Sequence, residues 1–196
     1  MRNYLTVFIF FVFISCQTQQ QSNHLVFPDI NWEINIPESF KQYTKEQNDS
    51  IDQASLNRVR ELYPDKFQNQ KPTTKTLFTI DQGSENIFDA STAQISKYLS
   101  SDQFFSTYKK QSLSLIAKIH PEVQVVDTSY NTETIGGISF YKLYVKTFDP
   151  IQNSYKHGYV FYCRKNNYEL MIQITFKNEF IGQKFIKVLK SSKFYD

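Results

Sequence analysis

Residues 138–176, ISFYKLYVKTFDPIQNSYKHGYVFYCRKNNYELMIQITF, decide how the rest of the chain is read. Leu170, Ile172, Ile174 and Phe176 alternate with Met171, Gln173 and Thr175, the period of two that sends one set of side chains inward and the other to a more polar face. Leu143 and Val145 alternate in the same way with Lys142, Tyr144 and Lys146, and Tyr159, Phe161 and Cys163 recur at every second position. Asp149-Pro150 opens a loop, and Asn166-Asn167 suits the left-handed backbone of a tight turn. The stretch therefore predicts three antiparallel strands joined by two short turns, a sheet on which the remaining elements pack.

Upstream, residues 123–134 read as a further strand that enters this sheet through Gly136-Gly137, a pair able to supply the positive φ angles of a hairpin turn. Before it, Phe105, Tyr108, Ser112, Leu115, Ile116 and Ile119 recur at intervals of three and four, a helix started by Ser101 or Asp102 and ended before His120-Pro121. Earlier still, Trp32, Ile34 and Ile36 mark a short strand stopped at Pro37. Ser50 and Gln53 have capping-box spacing ahead of a helical stripe of Leu56, Val59 and Leu62. Residues 67–72 read as polar loop, residues 75–81 as a strand turning at Gly83-Ser84, and residues 86–96 as a strand of poor alternation. Asn178 caps a last helix whose apolar face is Ile181, Phe185, Val188 and Leu189. Its Lys184, Lys187, Lys190 and Lys193 recur every three residues, a set that reads as a solvated face and alternatively as a contact for anionic lipid or an acidic partner.

A chain of 196 residues can bury one substantial core, and 16% aromatic content favours sheet-rich packing within it. The 22 basic and 19 acidic residues nearly cancel to +3, which lacks the electrostatic footprint of a nucleic-acid partner. With only 5 Gly, no Walker or dinucleotide pattern can be drawn, so no phosphate-binding cofactor is expected.

The N-terminus carries an address. Arg2 precedes an apolar run from Leu5 to Ile14, ten residues long, and Ser15 closes it. A membrane span needs about 20 apolar residues, so this run is a signal sequence rather than a transmembrane helix. Phe13-Ile14-Ser15-Cys16 resembles the lipobox of bacterial lipoproteins, departing from its commonest form at Phe13 and Ser15. That resemblance implies cleavage after residue 15 and a diacylglyceryl group on the Cys16 thiol, followed by acylation of the new amine. One acyl chain holds a protein marginally, at ~0.8 kcal/mol per buried methylene, whereas two or three make attachment effectively permanent. The expected organisation is a signal peptide over residues 1–15, a polar tether over 16–24 reaching roughly 15 Å as a coil, and a single domain over 25–196. With Cys16 acylated, Cys163 is left as a lone thiol, buried and inert on its strand.

Catalytic constellations are scarce. Ser84 and Ser139 lie near glycine but not in a nucleophile elbow. His120 adjoins a helix end, where a cation is favoured by the dipole, and His157 has no acidic or second histidine residue at ligand spacing, so no metal site is expected. Asp127, Glu133, Asp149 and Glu169 are carboxylates that only a fold could bring together into a glycosidase-like pair.

The strand ending Ile34-Asn35-Ile36-Pro37-Glu38-Ser39-Phe40, a long helix before a glycine hairpin, and a closing strand, helix and Ser192-Lys193-Phe194 tail are similar to the PsbP-like family. That family includes the photosystem II extrinsic protein and exported bacterial relatives such as DcrB-type lipoproteins. The resemblance implies an α+β fold, an antiparallel β-sheet flanked by helices as a PsbP-like sandwich; cystatin-like or lipocalin-like sheets are the alternatives. It transfers no functional residue. The expected protein is a non-enzymatic binding or accessory lipoprotein of the bacterial cell envelope, held to a membrane through Cys16, facing the periplasm and binding an envelope protein. A cell-wall or polysaccharide-acting enzyme, or a carrier of a small apolar ligand, is the competing reading.

Overall fold

A computed structural model of the chain describes residues 22–62, 74–83, 85–95 and 100–195. In chain order the elements are β1 (Ser22–Phe27), β2 (Trp32–Pro37), β3 (Lys41–Gln42) and helix α1 (Lys45–Leu62). β4 (Thr74–Asp81), β5 (Ile87–Gln94) and α2 (Ser101–Ile119) follow. The meander consists of β6 (Gln124–Ile135), β7 (Ile138–Asp149), β8 (Ser154–Lys165) and β9 (Tyr168–Phe176). Helix α3 (Glu179–Lys190) and β10 (Lys193–Phe194) end the chain.

The predicted meander forms the larger part of a seven-stranded antiparallel sheet in the order β3-β4-β5-β9-β8-β7-β6. Its turns use the residues read from the sequence: Gly136 and Gly137 have φ of 55° and 84°, and Asn166 and Asn167 have φ of 49° and 66°. β5 pairs with β9 from Ile87↔Thr175 to Gln94↔Tyr168 and so occupies the middle of the sheet. Its alternation is poor because both faces are covered. Phe88, Ala90 and Thr92 enter the main core, while Asp89 sits on the face shared with the helices α1 and α2. A second sheet, β1-β2-β10, stands apart. The early strands thus divide between two sheets, and the C-terminal tail pairs with β2 through Lys193↔Glu33 and Phe194↔Trp32.

The main core lies between one face of the large sheet and a layer made of α3 and the small sheet. Trp32, Ile34 and Ile36 of β2, Phe185 and Leu189 of α3, and Ile172 and Ile174 of β9 are all fully buried there. Aromatic rings knit the layers, with Trp32 against Phe194 at 5.7 Å and Phe88 against Phe185 at 5.7 Å. Each such ring removed from water contributes on the order of 2 kcal/mol. Gly182 lets α3 sit directly on β9, since a Cβ there would lie 2.5 Å from three ring atoms of Phe176. On the opposite face a smaller core joins Phe105 of α2 to Leu143 and Tyr162. Of the stripe expected to be buried on α2, only Phe105 is fully covered; Tyr108, Ser112, Leu115, Ile116 and Ile119 are half-buried.

Three boundaries differ from the sequence reading. α1 begins at Lys45, where Thr44 and Gln47 exchange backbone and side-chain hydrogen bonds at 2.9 and 3.3 Å, so the capping box is Thr44–Gln47 and Ser50 and Gln53 lie inside the helix. α2 is capped one residue earlier than expected, by Ser100, whose reciprocal partner is Gln103. β1 takes up Ser22, Asn23 and His24, pairing them with Pro37, Ile36 and Asn35, so the domain starts inside the expected tether.

Candidate functional site

Cys16, the apolar run before it and residues 17–21 lie outside the described residues, as do the loop over residues 67–72 and Ser84. The other thiol, Cys163, is 3% exposed on β8, and burial pushes it up to about 12, with Lys165 opposing only in part. A thiol so seldom ionised is a poor nucleophile.

The four carboxylates do not converge. Asp127 is exposed on β6, at the edge of the large sheet. Glu133 accepts from Lys142 at 2.6 Å and from Lys190 at 2.6 Å, so that although burial would raise it, the two ammonium groups hold it below the ordinary glutamate value. Asp149 caps the β7–β8 turn, accepting from the backbone N–H groups of Ile151 and Gln152 at 2.8 and 3.0 Å. Glu169 accepts from Arg164 at 2.9 Å, beside Tyr162, whose hydroxyl accepts from the Arg164 Nε at 3.0 Å. Tyr162 belongs to the core under α2, while Leu170, next to Glu169 on the strand, belongs to the other core, so Glu133 and Glu169 occupy opposite sides of the sheet.

The most reaction-like set is one that the sequence could not show. His157 on β8 lies beside Tyr144 of β7, because Lys146 is its register partner and Tyr144 follows two residues along the same face. Tyr144 and His157 Nδ1 are 2.9 Å apart, Nε2 lies 3.8 Å from Glu179, and the imidazole stacks on Phe176 at 5.0 Å. A proton on Nε2 facing the carboxylate leaves Nδ1 to accept from the Tyr144 hydroxyl. Burial, then Lys146, lowers the His157 pKa against the pull of Glu179, and burial raises the Tyr144 phenol. Both groups stay neutral near pH 7; their hydrogen bond joins β7 to β8, and Glu179 at the start of α3 stands beyond hydrogen-bond distance. His120 ends α2 with its backbone N–H bonded to Ile116, its ring exposed beside Glu122 at 3.4 Å. Among the described residues no three His, Cys, Asp or Glu side chains gather in a way that could hold a metal ion.

A surface groove of about 370 Å³ runs between α3 and the segment after β2, lined by Asn35, Pro37, Ser39, Phe40, Lys184, Lys187, Val188 and Ser191. The four lysines of the sequence stripe separate here. Lys190 is bound to Glu133 at 2.6 Å and Lys193 approaches Glu33 at 3.7 Å, while Lys184 and Lys187 line the groove. The strand register that separates them is invisible in a three-residue repeat.

Layered in this way, an antiparallel sheet with helices on both sides and a small sheet closed by the C-terminal tail, the chain has the PsbP-like α+β fold. It is similar to the solution structure of cyanobacterial PsbP (CyanoP) from Synechocystis sp. PCC 6803, with a TM-score of 0.57 and 7% identity over 90% of this chain and 94% of that one. A Pseudomonas aeruginosa protein of unknown function, PA94, aligns with a TM-score of 0.37 and 10% identity over 87% of this chain and 94% of that one. No family model matches the chain. No curated protein matches it in sequence either.

Proposed function

We propose that the chain is an exported, lipid-anchored accessory protein of a bacterial cell envelope, facing the periplasm and acting by binding rather than by catalysis. The observation that carries this reading is Phe13-Ile14-Ser15-Cys16 at the end of a ten-residue apolar run, the pattern an acylated cysteine requires. Two further features support it. The fold is one shared with CyanoP, and three of the four candidate carboxylates are engaged in holding the sheet, Glu133 by two lysines, Glu169 by Arg164 and Asp149 by a turn, while Asp127 stands apart at the exposed edge. Among the described residues no helix is long and apolar enough to cross a membrane.

The test is to replace Cys16 with Ala and fractionate the cells. Wild type should sediment with membranes and incorporate a fatty-acid label; the variant should take up no label and should accumulate as a larger, unprocessed chain. Normal processing and unchanged sedimentation of the variant would overturn the anchor. Crosslinking in intact envelopes should then trap a specific protein partner on the domain, and recovery of none across repeated trials counts against the binding role.

A further inference from the structure

We propose that the groove beside α3 is the face on which the domain rests against an anionic bilayer, an inference that builds on the reading of Cys16 as acylated. Phe180, Lys184, Lys187 and Ser191 follow one another at intervals of four, three and four, a single stripe along the outer side of α3. Phe180 is 68% exposed, and the Lys184 ammonium lies 4.3 Å from its ring centroid. An exposed aromatic ring flanked by cations is the composition that settles at the level of lipid headgroups. Among the described residues neither Lys184 nor Lys187 forms an ion pair, whereas Lys190 and Lys193 are committed to Glu133 and Glu33. The groove segment adds one exposed carboxylate, Glu38, and beyond it the exposed Lys41 offsets that charge.

The position of the anchor is what selects the bilayer over other anions. β1 begins at Ser22, the register partner of Pro37, and Pro37 lines the groove together with Lys184 and Lys187. The chain therefore enters the domain at the rim of this surface. Six residues from Cys16 to Ser22 span at most about 20 Å when fully extended. A domain of this length has a diameter on the order of 40 Å. A link shorter than the domain is wide cannot let it roll over to present its far side, so the bilayer meets the groove end first. α2, on the other face of the large sheet, is left for an envelope partner.

The test places a fluorophore on the acylated full chain, at Ser191→Cys in the groove or at Thr107→Cys on exposed α2, with buried Cys163 left unlabelled. On phosphatidylglycerol vesicles the probe at 191 should be shielded from an aqueous quencher and the probe at 107 should not. On phosphatidylcholine, or with Lys184→Glu and Lys187→Glu together, the protein should still float with vesicles while shielding at 191 falls, because the short link keeps the groove near the bilayer but no charge holds it against the headgroups. Lys184→Gln with Lys187→Gln should give an intermediate loss in a domain whose circular dichroism is unchanged. For the unacylated Cys16→Ser chain freed of residues 1–15, loss of the two cations should weaken phosphatidylglycerol binding about 25-fold, at about fivefold per lysine near such a surface. Equal quenching at 191 on both lipids, or binding indifferent to the two lysines, overturns the docking face. Failure of the wild-type chain to float on phosphatidylcholine would instead overturn the acyl anchor, and the unacylated comparison would still decide the groove.

Discussion

Phe176 fills the place where a side chain at Gly182 would stand: its ring atoms lie 2.5 Å from an ideal Cβ at that position. Helix and strand meet there without a spacer. Gly182→Ala must push α3 off β9, and overpacking of this kind costs about 1–3 kcal/mol even though alanine is the better helix former. Urea denaturation should show that loss, and Phe176→Leu in the same chain should recover part of it.

The two glycines of the β6–β7 turn should respond unequally. Gly137 has φ of 84° with open space around it, so alanine there meets backbone strain alone, about 1 kcal/mol. At Gly136, φ is 55° and a Cβ would also stand 2.9 Å from the Phe194 ring and 3.0 Å from the Ser192 carbonyl oxygen. Gly136→Ala should therefore be the more damaging substitution, and it should loosen the C-terminal tail, seen as faster amide exchange at Phe194.

Stability should vary with pH in two opposed ways. Burial, and then the nearby Asp52 carboxylate, push the Asp89 carboxyl from 3.8 up to about 7. Between about pH 4 and 7 the unfolded chain has released this proton while the folded one keeps it, so stability falls as pH rises through that window and levels off above it. Because the residue keeps some contact with solvent, the cost is about 1–3 kcal/mol, and Asp89→Asn should flatten the slope and stabilise the protein at pH 8. Glu133 runs the other way. Held below its ordinary 4.5 by Lys142 and Lys190, it contributes stability above that pH which is lost as pH falls through its lower folded value. Glu133→Gln should remove this acid-side loss, and melting temperatures from pH 3 to 8 measure both.

Cys163 should be silent in the native state. With its thiol at about 12 in place of 9, its thiolate fraction at pH 8 drops about a thousandfold. A thiol reagent should label it only once denaturant opens β8, and labelling in buffer at the rate of a free cysteine would contradict the burial.

Thr44→Ala should cost about 0.5–2 kcal/mol through loss of the α1 cap, whereas Ser50→Ala, inside the helix, should stay within about 0.5 kcal/mol. The comparison bears on what can be read from a sequence. Ser50–Gln53 and Thr44–Gln47 have the same spacing, and only the structure shows which pair stands at the helix start. Strict alternation made β7, β8 and β9 legible, because one face of each meets a dense core. β5 was blurred by Asp89 and Ser91 on a face that two helices also cover, and the partition of the first strands into two sheets depends on β10, a two-residue strand at the far end of the chain. The pairing of Tyr144 with His157, and the division of the lysine stripe into bound and groove-lining members, both follow from strand register and helix placement, which a linear spacing does not contain.

Phe194 stacks on Trp32, and β10 joins β2 although Lys193 and its partner Glu33 stand 160 positions apart in the sequence. Closing so large a loop is slow, because two distant segments must find each other before their pairing rewards the lost chain entropy. The Trp32 layer is incomplete until Phe194 has docked. The two-residue β10 therefore works as a clasp, and undoing it would uncover the otherwise sealed Trp32 indole.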